Sequence, residues 1–404
     1  MPLRFAPDDH PFNNRDALKS DYTPNELVGR DDEMENYHAA LQPVINREDP
    51  DNIFLYGKTG VGKTAATKYI LEILESDASK YDIPVRSEYI DCDNADTSYR
   101  TAVKLLNRLR TSGEEISETG HSKSYVYDQL WVEIDNLEGT FLVILDEVDH
   151  LKDDSILYQL SRTGEKETLQ STNIAVIGIS NDMTYRDSLS PKVRSSLCER
   201  SIQFPPYDAE ELQAVLQQRA DVAFLDDILS DDVIPLCSAY GAQESGDARK
   251  SLDLLMKAGD IERRENDGKV TAEHVRRGRE ELQREELANG IANLNEHERL
   301  VIYALATFEA EGNTPVRSKN LYDRYQKLAE RTTDALTSRW MRDHLDEMDM
   351  LGIVNTSKQN LGMSGGQYWQ ISLAADLQLT VDAIEDIIEF TGTHESIREY
   401  VDDS

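Results

Sequence analysis

Lysine is scarce in this chain: only 16 of the 43 basic residues are lysine, against 77 aspartates and glutamates. Cysteine is scarcer still, at three. Cys92, Cys198 and Cys237 are odd in number and far apart, so they offer neither a disulfide framework nor zinc-ligand spacing, which suits a reducing interior. No apolar run approaches the roughly 20 residues that span a bilayer. The first residues, MPLRFAPDDHPFNN, lack the apolar centre of a signal peptide. The expectation is a cytoplasmic, chromosome-associated protein with no membrane partner. Internal repeats and low-complexity segments are also lacking.

At 404 residues the chain is long for one core, so two or three domains are expected. The net charge of −34 is extreme, and the acid is spread along the sequence. Disorder does not fit, because apolar strands and amphipathic helices are plain. An acidic interaction domain does not fit either, because no long block of like charge occurs. A protein suited to molar salt fits both observations: carboxylates keep the surface hydrated and salt screens their repulsion.

Residues 1–30 are turn-rich and end in DYTPNELVGR. From there to 207, strands near 52–56, 87–92, 140–145, 174–180 and 200–204 alternate with helices. That rhythm predicts an α/β domain with a parallel sheet covered on both faces. Pro205-Pro206 ends it, giving a first domain of 1–207. Residues 208–288 read as helix throughout. Residues 289–404 read as three helices, a β-hairpin and a short acidic helical tail.

Tyr56–Thr64, YGKTGVGKT, fills every fixed position of G-x-x-x-x-G-K-[ST] with Gly57, Gly62, Lys63 and Thr64. The apolar run Asn52–Tyr56 precedes it and a helical pattern follows from Ala65. A loop at such a turn points successive N–H groups at phosphate oxygens, and the helix N-terminus adds positive charge. Gly57, Lys58, Thr59, Gly60, Val61, Gly62, Lys63, Thr64 and Ala65 are therefore the phosphate-binding candidates. Lys63 would reach the β- and γ-phosphates, and Thr64 would ligate Mg²⁺.

Phe141–Leu145, FLVIL, reads as a buried strand delivering Asp146 and Glu147 at its C-terminal edge. Asp146 is the second candidate metal ligand, and Glu147 the group that polarises an attacking water. Asn181 ends a further apolar strand, Ile174–Ser180, where a neutral amide can orient that water; plain turn chemistry is the alternative. Arg194, in SPKVRSSL, is placed to enter a neighbouring molecule's site; Lys192 and Arg200 are close rivals. Arg249 follows Gly246-Asp247-Ala248 near a helix start, from which a lid could lower it onto a phosphate. The alternative is a helix-surface arginine paired with Asp253.

Together these residues resemble the ATPases-associated-with-diverse-activities superfamily (AAA+). Within it the chain resembles the archaeal origin-recognition initiator family, relatives of the eukaryotic origin recognition complex large subunit and the cell-division-control loader. The likeness covers nearly the whole chain through YTPNELVGR, GKTGVGKT, LDEVDH, GISND, SPKVRSSL, GDARKSLD and a C-terminal winged helix. It implies an adenine cradle at Tyr22, Pro24, Val28, Gly29 and Arg30. It also implies a first sensor at Asn181, an arginine finger at Arg194 and a second sensor at Arg249. ATP or ADP with Mg²⁺ are the implied cofactors.

An acidic protein that binds DNA needs local positive islands. Thr97–Gly113 holds Arg100, Lys104, Arg108 and Arg110 and no acidic residue. The first three form one helical stripe, with Val103, Leu106 and Leu109 opposite. The resemblance implies an initiator-specific helix in this interval that touches duplex DNA; a solvated basic face is the plain alternative. A second island lies between Pro315 and Arg342. There Ser338–Met350 predicts a helix with Met341, Leu345 and Met348 inward and Ser338, Arg339 and Arg342 outward, as a recognition helix requires. Trp340 reads as packing. The hairpin 353–357 and 367–372 would be the wing, with Lys358 its one cation, fewer than such wings commonly carry. Arg276, Arg277 and Arg279 read as a solvated helix face.

The expected function is an ATP-dependent replication initiator. It would bind double-stranded origin DNA, help recruit the replicative helicase, self-associate on DNA and hydrolyse ATP weakly as a switch. A loader-type paralogue, an ATP-switched transcriptional regulator and a motor ATPase are the competing readings.

Overall fold

The computed structural model describes residues 10–24, 26–162, 169–360 and 367–403. The chain forms two compact units, Met1–Val275 and Arg276–Ser404. In the first, α1 (Asp31–Ile45) precedes β1 (Ile53–Tyr56), α2 (Lys63–Lys80) and β2 (Val85–Asp91). Then come α3 (Ser98–Leu109), α4 (Lys123–Asp135), β3 (Gly139–Asp146), α5 (Ser155–Ser161) and β4 (Thr172–Ser180). Short helices α6 (Tyr185–Ser188) and α7 (Pro191–Leu197) lead to β5 (Arg200–Gln203).

The strands pair in parallel in the order β2-β3-β4-β1-β5. Alternation along each strand splits the core in two. Phe141, Val143 and Leu145 face Leu105, Leu130 and Ile156 of α3, α4 and α5. Leu142 and Ile144 face Leu41 of α1 and Ile70 of α2. Both faces are thus covered, which is why these strands read as continuous apolar runs. The register sets Tyr56 beside Ser180 and Asp91 beside Asp146. The ends of β1, β3 and β4 therefore open onto one edge, where open parallel sheets bind ligands.

The sequence pattern marks one helix between β2 and β3; the structure has two. Helix α4 buries Val126, Tyr127, Leu130 and Ile134 along one face. Ser122 caps it by accepting a hydrogen bond from Tyr125 N.

The helical block holds α8 (Ala209–Ala223), α9 (Val233–Glu244) and α10 (Ala248–Glu265), and α11 (Ala272–Ala292) carries the chain onward. Asp208 and Glu211 form a capping box that starts α8. The N-terminal segment lies on this block. Phe12 packs on Phe224, with ring centroids 4.8 Å apart. Arg15 pairs with Asp260 at 2.7 Å, and Arg263 Nε donates to His10 O at 2.9 Å. Cys92, Cys198 and Cys237 are all free and buried.

The second unit comprises α12 (Glu296–Ala310), β6 (Val316–Arg317), α13 (Ser318–Ala329), α14 (Ser338–Met350), β7 (Val354–Asn360) and β8 (Gln367–Leu373). Its core surrounds α12, where every side chain from Leu300 to Ala306 is buried, as in a helix enclosed on all sides. The hairpin β7–β8 gains β6 as a third antiparallel strand, and β7 runs on to Asn360, past the expected end. The glycine-rich residues 361–366 of the expected wing lie outside the described residues. The acidic tail resolves into α15 (Leu377–Ala383), α16 (Glu385–Thr391) and α17 (Glu395–Asp403). No helix among the described residues is long and apolar enough to cross a membrane.

Candidate functional site

The β1–α2 loop curls because its glycines accept a left-handed backbone. Gly60 has φ +72°, and a Cβ there would meet Asp247 Oδ1 at 1.7 Å. Gly62 has φ +93°, with Tyr207 Oη at 2.7 Å from the same imagined atom. A side chain at either position would meet both backbone strain and a clash. The loop is also tied to the helical block: Ala248 N donates to Gly60 O at 3.1 Å, and Asp247 caps α10 through Arg249 N.

Lys63 opens α2 and is buried. Its Nζ donates to Gly57 O at 2.9 Å, Lys58 O at 2.7 Å and Asn181 Oδ1 at 2.9 Å. Burial pushes its pKa down to about 8, against the pull of Asp146. Thr64 Oγ1 donates to Asp146 Oδ2 at 2.7 Å, so the two expected metal ligands converge. Tyr89 Oη also donates to Asp146 Oδ2, and Glu147 N donates to Asp146 Oδ1 at 2.9 Å. Glu147 itself adopts φ +56°, an uncommon backbone for a non-glycine residue and one that concentrates at functional sites. Burial, then the charge of Asp146, raises its carboxyl pKa. Asn181 Nδ2 donates to Glu147 Oε1 at 3.3 Å, so one amide bridges the lysine and the glutamate.

Above this edge lies a cavity of about 310 Å³. One end is walled by Gly60–Ala65, Tyr89, Asp146, Glu147 and Arg249. The other is walled by Tyr22, Pro24, Val28, Val215, Gln218 and Arg219. The volume falls within the range of small-molecule sites, and its lining combines what a nucleotide needs: loop backbone, Lys63 and Arg249 for phosphate at one end, and Tyr22, Pro24, Val28 and Val215 for a base at the other. The donor set fits a hydrated Mg²⁺ beside phosphate, with a hydroxyl and a carboxylate already in contact.

Several expected residues sit elsewhere. Gly57, Lys58 and Thr59 do not wall the cavity; the first two serve as carbonyl partners of Lys63. Gly29 and Arg30 are also outside it. Arg30 is buried and acts as a brace: Nε donates to Val61 O at 3.1 Å, Nη2 to Pro205 O at 2.7 Å, and its guanidinium stacks 3.6 Å from the Tyr207 ring centroid. Arg194 lies on α7 away from this cavity, half-exposed and 3.6 Å from Asp187. Sequence reasoning missed Tyr89, Tyr207, Gln218 and Arg219. They reach the cavity or its loop from β2 and the helical block through tertiary packing, which no local spacing marks.

In the expected basic stripe on α3, Arg100 is the residue that meets carboxylates among the described residues. Arg100 pairs with Asp96 at 3.2 Å and Glu118 at 3.8 Å, and Lys104 Nζ donates to Asn94 O at 2.5 Å. Arg110 binds Glu133 at 3.0 Å. Arg108 is exposed.

On α14, Thr337 caps the first turn through Trp340 N, while Met341, Leu345 and Met348 are buried. Ser338, Arg339 and Arg342 all face solvent, with the Arg339 side chain 86% exposed. Trp340 packs against His297, Tyr325 and His344, the last at 4.2 Å between centroids. On the hairpin, Lys358 Nζ lies 4.5 Å from the Trp369 ring centroid, and Arg317 lies 4.4 Å from that of Tyr368.

The sequence matches the profiles of an AAA domain over residues 46–180, a Cdc6 AAA+ ATPase-type lid domain over 213–280 and a CDC6 C terminal winged helix domain over 289–383. It is 50% identical over 400 residues to ORC1-type DNA replication protein 11 of Haloarcula marismortui, covering 98% of this chain and 97% of that one. An ORC1-type DNA replication protein of Pyrococcus abyssi is 39% identical over 359 residues, covering 88% and 85%. Among solved structures, the Aeropyrum pernix ORC1 protein in complex with DNA shares the fold with a TM-score of 0.80 at 33% identity, covering 93% of this chain and 97% of that one. With relatives along nearly its whole length and an AAA+ base, helical lid and winged helix in the same order, the chain belongs to the family of ORC1-type DNA replication proteins.

Proposed function

We propose that this chain is an ATP-dependent replication initiator that binds double-stranded origin DNA and helps recruit the replicative helicase. One observation carries the reading. A single chain holds a nucleotide-sized cavity with Lys63, Thr64, Asp146 and Glu147 at one end, and also a winged helix whose α14 leaves Ser338, Arg339 and Arg342 uncovered. That the related Aeropyrum pernix protein was solved with DNA supports it.

In the cavity, Thr64 and Asp146 would hold Mg²⁺, which supplies charge neutralisation at the phosphates. Lys63 carries its positive charge to the β- and γ-phosphates, and Arg249 approaches from α10. Glu147 takes a proton from the attacking water, and its raised pKa suits a general base. Asn181 fixes the Glu147 carboxylate through the amide bridge. Arg194 does not wall its own cavity, so it would act on a neighbouring copy, and hydrolysis by a lone chain would be slow. On DNA, Arg339 and Arg342 grip base edges in the major groove and Lys358 approaches a phosphate from the hairpin. Arg108 adds a phosphate contact from α3, with Arg100 and Lys104 contributing less because they are already partnered.

The test is fluorescence anisotropy in molar KCl with ATP, using duplex from beside the protein's own gene and a shuffled duplex. Selective binding that disappears in R339A/R342A supports the reading. Equal or absent binding to both duplexes overturns origin selection and leaves a helicase-loading role to be measured directly.

A further inference from the structure

We infer that Arg219 is a positioning residue for the nucleotide's base, the side chain through which the helical block builds the aromatic end of the cavity. The assignment rests on the nucleotide reading above and extends it to a residue that carries no phosphate chemistry.

Arg219 lies on α8 and is only 7% exposed. Among the described residues no carboxylate pairs with it. A buried guanidinium without a counter-charge is costly unless its donors are satisfied. Here two backbone carbonyls accept from it, one at each terminal nitrogen. Nη1 donates to Ala17 O at 3.2 Å and Nη2 to Tyr22 O at 3.0 Å. Its planar face lies 4.6 Å from the Tyr22 ring centroid. The neighbouring Gln218 Nε2 donates to Glu26 O at 3.0 Å. Two adjacent side chains of one helix thus hold three carbonyls of the segment that contains Tyr22, Pro24 and Val28.

The same segment is fastened to the block further upstream, at Phe12, Arg15 and His10. The aromatic end of the cavity is therefore held from α8, while the phosphate end is built on the β1–α2 loop and the start of α10. Arginine is suited to this task because one planar group offers several fixed donors and a stacking face at once. Lysine reproduces the charge but neither the fork nor the face.

The experiment compares ATP with inorganic tripolyphosphate by titration calorimetry on the full chain, because tripolyphosphate can occupy only the phosphate end. The expected result for R219M is about a tenfold loss of ATP affinity with tripolyphosphate affinity held within roughly twofold. R219K regains part of the loss, and Q218A shows a smaller loss of the same kind. ATP affinity equal to wild type in R219M overturns the assignment, as does an equal loss for both ligands. If R219M does not fold, wild-type ATP affinity in both R219K and Q218A overturns it. A wild-type chain that binds tripolyphosphate but not ATP, or neither, removes the nucleotide reading and the assignment with it.

Discussion

At the scale of single residues, the proposed function has Lys63 serve binding and Glu147 serve chemistry. Lys63 has its pKa pushed down to about 8 by burial, so it is charged below that pH and loses its proton above it. A phosphate ligand raises that pKa again, so binding takes up a proton at higher pH. ATP affinity should be flat below pH 8 and fall by up to about tenfold per pH unit above it, measured by titration at pH 7, 8 and 9. K63A should abolish this slope together with most of the binding. E147Q should keep ATP affinity but slow hydrolysis by about 100-fold or more, read by phosphate release. Their positions, Lys63 opening α2 and Glu147 just past the end of β3, were legible in the sequence because the loop and the strand-end acid pair are local patterns. The resemblance implies an adenine cradle at Arg30, and its bracing contacts were not legible: their acceptors, Val61 O and Pro205 O, lie 31 and 175 residues away. Tyr89 escaped notice because its link to Asp146 depends on two parallel strands lying side by side.

At the scale of elements, the start of α10 and the phosphate loop act as one piece. Gly60→Ala combines a left-handed backbone with a clash at Asp247, and should cost about 1–3 kcal/mol, seen as a lower melting temperature and weaker ATP binding. Helix α14 matched its expected bounds, Ser338–Met350, because cap, apolar period and length all agree within thirteen residues. Helix α3 was also found, but the acids that pair with Arg100 and Arg110 were not legible from the stretch itself. The stretch from Thr97 contains no acid, but Asp96 stands one residue earlier, and Glu118 and Glu133 arrive from beyond it. At low salt, R108A should weaken binding to any duplex several-fold, while R100A changes it little, measured by anisotropy with shuffled DNA.

At the scale of the whole molecule, the charge of −34 sets the working conditions. Self-repulsion of that size relaxes as ions shorten the Debye length from about 10 Å at 0.1 M to 3 Å at 1 M. The melting temperature should climb between 0.1 and 2 M KCl, and sucrose of equal osmolality should reproduce only a small part of the rise. The three cysteines give this protein a built-in clock. Each is buried, and burial pushes the Cys92 and Cys237 thiols up to about 12 and Cys198 up to about 11. An alkylating reagent needs the thiolate and a path to it, so it labels only molecules that have opened. Cys92 follows β2 beside Asp146, whereas Cys237 sits inside α9. Their separate labelling rates, with and without nucleotide, time the opening of sheet and lid independently in the unaltered chain.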